Sequence, residues 1–273
     1  MKSVISALLL WSCCQSFAFC QATETAVGEN STTDPLKLFE VREYVGEDGE
    51  QLNYRLLKPA DFDPNKKYPL VIFLHGAGER GSDNAAQLKH CMAQFCTPEH
   101  RQKYPCYVLA PQCPEGQKWA DVDWSSDTPA FPKEVSRSLG LTLAVVDSML
   151  ADAAVAKSRV YIAGLSMGGY GTWDALARRP ELFAAAIPIC GGGDVETVGA
   201  FKDIPLWCFH GADDRAVDVE RSRAMIAAIK AAGGEPRYTE YPGVGHDSWT
   251  QTFASEDTFQ WLFAQKRQLA RAE

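Results

Sequence analysis

Apolar residues fall along this chain in two rhythms. Unbroken apolar runs occupy residues 69–74, 106–110, 160–163, 183–189 and 205–209. Such runs predict strands buried on both faces, as in a parallel sheet. Between them, apolar residues recur at helical spacing. Residues 134–154 carry Leu139, Leu143, Val146 and Leu150 on one face, which predicts an amphipathic helix. Helices are also predicted over about residues 84–94, 169–177 and 219–232, and over most of 249–269; Gly233-Gly234 stops the third of these. Residues 39–45 and 52–57 alternate apolar and polar positions around the turn-rich stretch 46–50. That pattern predicts an antiparallel hairpin at a sheet edge. Residues 237–241 supply the last strand.

After the hairpin, strands and helices alternate. The order specifies an α/β fold: a mostly parallel sheet of about eight strands with helices on both faces. No repeat, linker or low-complexity segment interrupts residues 38–269, so 38–273 is expected to be one domain. With 46% hydrophobic and 23% charged residues in a chain of 273, there is ample material for one large core.

The amino terminus does not fit this scheme. Lys2 precedes an apolar run over residues 4–11, too short to cross a bilayer. Residues 1–22 read as a signal peptide and 23–37 as a polar, flexible leader. The protein is therefore expected to be secreted or periplasmic. Acylation at Cys20 is the alternative, with bulky Phe19 standing against it. No later segment is apolar enough to span a membrane. The formal net charge of −8 opposes a nucleic-acid partner, whose phosphates it would repel.

Beyond the signal, six cysteines remain: Cys91, Cys96, Cys106, Cys113, Cys190 and Cys208. Export would permit disulfides. Cys106, Cys190 and Cys208 sit in apolar runs and read as small hydrophobes; Cys91 and Cys96 are the best candidates for bridging. No Cys-x-x-Cys pair or histidine cluster indicates a metal, and nothing in the sequence calls for a cofactor.

The candidate chemistry centres on Gly164-Leu165-Ser166-Met167-Gly168, between a predicted strand and a predicted helix. Glycines there let the backbone reverse sharply and present a serine hydroxyl at a helix N-terminus, the nucleophile-elbow arrangement. A serine hydroxyl needs a base, and the base an orienting group. His246, in a glycine-rich loop after the last strand, is the candidate base. Asp213 or Asp214, after the preceding strand, is the candidate acid. Val217, three residues past Asp214, resembles an apolar anchor for the acid loop and favours Asp214. Asp218 reads as a helix cap and Asp194 follows a different strand. His75 and His210 each end a strand before a glycine and are expected to brace loops; His90 and His100 read as surface residues. Two backbone N–H groups should stabilise an oxyanion: that of Met167, after the serine, and that of Ala77, in the loop 75–81.

Leu74-His75-Gly76-Ala77-Gly78-Glu79-Arg80-Gly81, Pro111-Gln112-Cys113-Pro114, the Ser166 motif and Gly245-His246-Asp247-Ser248-Trp249 resemble the secreted esterase and "predicted peptidase" branch of the α/β-hydrolase superfamily. That branch is similar to feruloyl and acetylxylan esterases, polyhydroxybutyrate depolymerases and dienelactone hydrolases. The resemblance covers about residues 38–265. It implies a nucleophile at Ser166, an acid at Asp214, a base at His246 and oxyanion donors at Ala77 and Met167. Asp218 departs from the pattern, since relatives often have proline there.

No cap-domain insertion separates the strands ending near Cys190 and starting near Pro205. An open site suits esters on polymers or bulky groups, and Trp119, Trp124 and Trp249 are expected to line it. The expectation is a serine hydrolase acting on small-molecule or polymer-linked carboxylic esters. A serine peptidase of prolyl-oligopeptidase-like type and an inactive binding module are the alternatives.

Overall fold

The computed structural model describes residues 33–151 and 154–269. The expected signal peptide and most of the expected leader lie outside the described residues. The leader's last residues, however, form a short helix, α1 (Pro35–Leu38), capped by the Asp34 carboxylate. Proline at the first helical position and an aspartate before it are a start signal that polar composition had obscured.

The hairpin consists of β1 (Glu40–Val45) and β2 (Gln51–Leu57), paired antiparallel. β3 (Tyr68–Leu74) follows and is buried throughout. The helix expected over residues 84–94 is instead a 3-10 turn at Ala86–Leu88 followed by α2 (Met92–Cys96) and α3 (Pro98–Lys103). Asn84 and Cys91 have φ of +50° and +65°, which a continuous helix excludes. Asn84 is held there because its amide donates to the Arg42 and Tyr54 carbonyls on the hairpin.

The chain continues through β4 (Tyr107–Pro111), α4 (Arg137–Ala151), β5 (Val155–Leu165), α5 (Met167–Arg178), β6 (Ala185–Ile189), β7 (Trp207–Gly211), α6 (Glu220–Ala231) and β8 (Arg237–Tyr241). The expected last helix is two, α7 (Ser248–Ala254) and α8 (Glu256–Ala264), separated by extended Ser255. The eight strands form one sheet in the order β1-β2-β4-β3-β5-β6-β7-β8. β2 pairs antiparallel with both neighbours, and pairing from β4 to β8 is parallel.

Alternation along the central strands divides the core into two layers. Leu70, Ile72 and Leu74 of β3 and Val160 and Ile162 of β5 face α4, α5 and α6, where Leu139, Trp173 and Met225 meet them. Val71 and Phe73 of β3 and Tyr161 and Ala163 of β5 face α2, α7 and α8, where Phe95, Phe253 and Phe259 meet them. A strand covered on both faces has no place for polar side chains, which is why these runs are uninterrupted.

The six described cysteines are free, which corrects the expectation of a bridge at Cys91 or Cys96. Burial pushes the Cys96 and Cys106 thiols up to about 11 and about 12. They stay neutral and behave as small hydrophobes. Among the described residues, no helix is long and apolar enough to cross a membrane.

Candidate active site

The site stands at the carboxyl ends of the strands. Ser166 sits between β5 and α5 with φ +53° and ψ −116°. This is a strained conformation for a residue with a Cβ. It is held by a bond from the Ser166 N–H to the Ile189 carbonyl and by one from the Tyr170 N–H to the Ser166 carbonyl. The glycines of the motif are explained by close approach. A Cβ on Gly164 would stand 2.2 Å from the Gly168 carbonyl oxygen. Neither chain segment could move apart without separating β5 from α5.

Ser166, His246 and Asp214 are brought together in series. His246 Nε2 lies 2.9 Å from Ser166 Oγ, and His246 Nδ1 lies 2.7 Å from Asp214 Oδ2. With the imidazole neutral, Nδ1–H donates to the carboxylate and Nε2 accepts from the serine hydroxyl. The loops carrying the acid and the histidine are joined by backbone bonds, from Ala212 N–H to the Tyr241 carbonyl and from Asp213 N–H to the Val244 carbonyl. Asp213 points to solvent, whereas the Asp214 side chain is wholly buried.

Burial would raise the Asp214 carboxyl, but bonds from His210, His246 and the N–H groups of Val217 and Ala216 hold it well below the usual carboxylate range. It is a fixed anion beside His246. Cys190 Sγ, Asp214 and His246 converge within 4.8 Å of one another. Burial pushes the Cys190 thiol far upward, so it remains a neutral neighbour.

The remaining acids do other work. Asp218 accepts from the Glu220 N–H as a helix cap, and Asp194 ties the Phe131 N–H to its own loop. His75 and His210 are both fully engaged in hydrogen bonds. The His75 ring donates from Nδ1 to the Gly76 carbonyl at 2.6 Å and accepts at Nε2 from the Cys113 N–H at 2.9 Å. Burial lowers its pKa to about 4, consistent with a neutral brace. His90 and His100, expected at the surface, are half-buried and face Glu79 and Glu256 at 3.3 and 3.1 Å. His90 also packs on Trp249, 5.2 Å between ring centroids. These contacts join residues distant in sequence, and no local signal could have announced them.

Met167 is the first residue of α5 and Ala77 the first of a 3-10 turn, Ala77–Glu79. The N–H of a first helical residue has no intrahelical acceptor. The loop before Ala77 lies against the elbow: a Cβ on Gly76 would stand 3.7 Å from Ser166 Cβ.

The three tryptophans differ. Trp249 packs edge-on against His246, with ring centroids 5.3 Å apart. Trp124 is half-buried against Tyr170, under the Lys118 ammonium. Trp119 is wholly buried, which corrects the expectation that it lines the site. Its Nε1–H donates to the His75 carbonyl at 2.9 Å, and its Cβ fills the space beside Gly171. It braces the loop rather than meeting a ligand.

Residues 63–260 match the phospholipase/carboxylesterase family, and the chain belongs to that family. Its fold superposes on the crystal structure of a thermostable esterase with a TM-score of 0.79 and 41% sequence identity, covering 85% of this chain and 64% of that one. An uncharacterised secreted protein of Arthroderma benhamiae is 24% identical over 234 residues, covering 72% of this chain and 24% of its own length. A carboxylesterase of Arabidopsis thaliana is 26% identical over 192 residues, covering 64% of this chain and 82% of that protein. The chain thus spans about a quarter of the fungal relative and just under two thirds of the thermostable esterase.

Proposed function

We propose that this protein is a serine hydrolase that cleaves carboxylic esters through an acyl-enzyme intermediate. The observation that carries the reading is the bonded series Ser166–His246–Asp214 at the strand ends. Membership of the phospholipase/carboxylesterase family points to the same reaction class.

In this reading Ser166 Oγ attacks the ester carbonyl while His246 Nε2 takes its proton. The imidazolium that forms is stabilised by the Asp214 anion, which also keeps Nδ1 protonated. The carbonyl oxygen becomes an oxyanion and accepts from the N–H groups of Met167 and Ala77, at the amino end of α5 where the helix dipole favours negative charge. His246 then protonates the departing alcohol. Water, deprotonated by the same imidazole, attacks the acyl-enzyme and releases the acid.

The substrate is proposed to be bulky or polymer-linked. Between β6 and β7 the chain forms only a 3-10 turn, Val195–Ala200, where a cap domain would be inserted. Trp249 and Trp124 would form aromatic walls for such a group. Export to a secreted or periplasmic location is part of the proposal, on the strength of the sequence at residues 1–22.

Two measurements test it. A fluorophosphonate probe should label one serine per chain, mapped to Ser166 by peptide analysis. Side by side, p-nitrophenyl esters should be turned over and aminoacyl anilides should not; turnover of anilides alone would defeat the esterase reading.

A further inference from the structure

We infer that His210 is a positioning residue for this reaction: it fixes the Asp214 carboxylate against His246, and Ser222 fixes His210 in the tautomer that does so. The inference rests on the Ser166–His246–Asp214 reading above.

Asp214 has three hydrogen-bond donors around its two oxygens and a fourth polar neighbour in His210. Oδ1 accepts from the N–H groups of Ala216 and Val217 at 2.8 and 3.0 Å. Oδ2 is shared by two imidazoles, 2.7 Å from His246 Nδ1 and 3.2 Å from His210 Nε2. Neither the Asp214 nor the His210 side chain has exposed surface. A donor lost there would leave a buried carboxylate short of a partner, which is costly.

The hydrogen-bond inventory sets the tautomer. The His210 Nε2 proton is directed to the Val217 carbonyl at 3.0 Å, and Asp214 Oδ2, at 3.2 Å, is its longer second contact. Both oxygens facing Nε2 can only accept, so Nε2 carries the proton. On the far side, His210 Nδ1 lies 2.7 Å from Ser222 Oγ. Ser222 is wholly buried and stands on α6. In the neutral ring Nδ1 is the one nitrogen left to accept, and the Ser222 hydroxyl that faces it at 2.7 Å has the Gly191 carbonyl, at 3.1 Å, as the other acceptor for its single proton. The series therefore runs Ser222, His210, Asp214, His246, Ser166. It links α6, β7, the two loops that follow β7 and β8, and the elbow.

Two consequences follow for the chemistry. A carboxylate held at Oδ2 from two sides cannot rotate away from His246. Its basicity is also divided between two donors, so it pulls less strongly on the His246 proton. Removing one of the two contacts should strengthen that pull, which the acid limb of the pH–rate profile reads. The other titratable groups around this series include the Cys208 thiol, which donates to Ser222 Oγ and which burial pushes up to about 12, the Cys190 thiol beside Asp214, Tyr170 on α5, Asp213 and Asp247 on the loops, and Glu240 on β8. Burial raises Cys190 and Tyr170, which stay neutral. Glu240 is occupied by Arg223 and Tyr238.

The test compares His210→Phe, His210→Gln and Ser222→Ala, with active sites counted by a fluorophosphonate probe and p-nitrophenyl acetate turnover followed from about pH 5 to about pH 9. Phenylalanine keeps the volume and removes both nitrogens. It should lower kcat per titrated site about tenfold or more, leave KM within about twofold, and move the acid limb of kcat/KM upward by about half a pH unit. Glutamine can donate toward Asp214 and accept from Ser222, and should recover most of kcat and the original limb. Should the phenylalanine variant not fold, Ser222→Ala carries the test, with kcat lowered severalfold and the limb raised. A merely structural role would reduce the number of titratable sites and leave the limb in place. An unmoved limb with full kcat per site in His210→Phe, or in Ser222→Ala, overturns the inference. Wild-type protein that neither labels nor hydrolyses ester strikes instead at the reading of Ser166, a result separate from any contrast among these variants.

Discussion

A Cβ placed on Gly168 would stand 1.9 Å from the carbonyl oxygen of Leu74. The first turn of α5 therefore rests directly on the end of β3, backbone against backbone. That contact brings the loop after β3, with Ala77, beside the elbow. Gly168→Ala has no flexible side chain to displace, so β3 and α5 must part. A loss of several kcal/mol, at or beyond the upper end of about 1–3 kcal/mol for overpacking, is expected as a lower midpoint in urea. Folded Gly168→Ala protein with wild-type stability would show that the strand and helix are not so tightly joined.

Ser166 offers a rarer outcome, in which a loss of activity stabilises the fold. Its φ of +53° costs about 1–3 kcal/mol for a residue with a side chain. Glycine adopts that conformation freely but loses roughly 0.5–1 kcal/mol through added chain entropy. Ser166→Gly should therefore raise Tm by a few degrees, at about 2–4 °C per kcal/mol for a domain of this size, while turnover falls to background. Ser166→Ala should abolish turnover with Tm unchanged. Calorimetry of the wild type and the two variants checks both statements; a Ser166→Gly protein with the wild-type Tm would mean that the elbow stores no strain.

The legible parts of this chain share a physical cause. A strand buried on both faces must be apolar throughout, so β3 through β7 stood out in the sequence. The side chains at the strand ends were equally visible, because glycines and prolines mark where each strand stops. What could not be read locally depends on distant partners. Asn84 bends the chain because of carbonyls on the hairpin. Trp119, expected to line the site, is buried instead, because His75, 44 residues away, offers a carbonyl to its indole N–H. Trp119→Ala should accordingly cost about 3–5 kcal/mol of stability. Trp249→Ala should mainly alter kcat/KM between small and bulky esters, with a smaller effect on stability. Urea midpoints and an ester size series separate the two roles, and the assignment fails if they are reversed.

Asp174 predicts an unusual pH dependence of stability. Its carboxylate is buried on α5, and burial raises its pKa to about 6, against the pull of Arg178. The folded value lies above the unfolded value of 3.8, so the folded protein binds more protons between the two. Stability contributed by this group is present at low pH and falls as pH rises from about 4 to about 6, by roughly 2–3 kcal/mol. Asn at this position keeps an acceptor for Arg178, whose other nitrogens bond the carbonyls of Pro132, Lys133 and Glu134. Asp174→Asn should remove that slope. The check is the difference in urea midpoint between the two proteins at several pH values; a constant difference would count against the raised pKa.

Asp214→Asn should inactivate the site without disturbing its shape, and the geometry says how. Oδ1 of Asp214 is committed to two backbone N–H groups. An asparagine must keep its oxygen there and turn its NH2 group toward His246 and His210. The amide then donates to His246 Nδ1, which forces the imidazole proton onto Nε2. Nε2–H faces the Ser166 hydroxyl and can no longer take its proton. The same NH2 also confronts the Nε2–H of His210, so two donors meet where one acceptor stood. We expect kcat to fall by about 10³–10⁴, with KM little changed and Tm lowered by the unpaired donors. Asp213→Asn, an exposed neighbour one residue away, should change kcat less than about twofold. Equal losses in the two variants would show that neither aspartate orients His246, and that the base is held by something other than the carboxylate at 2.7 Å.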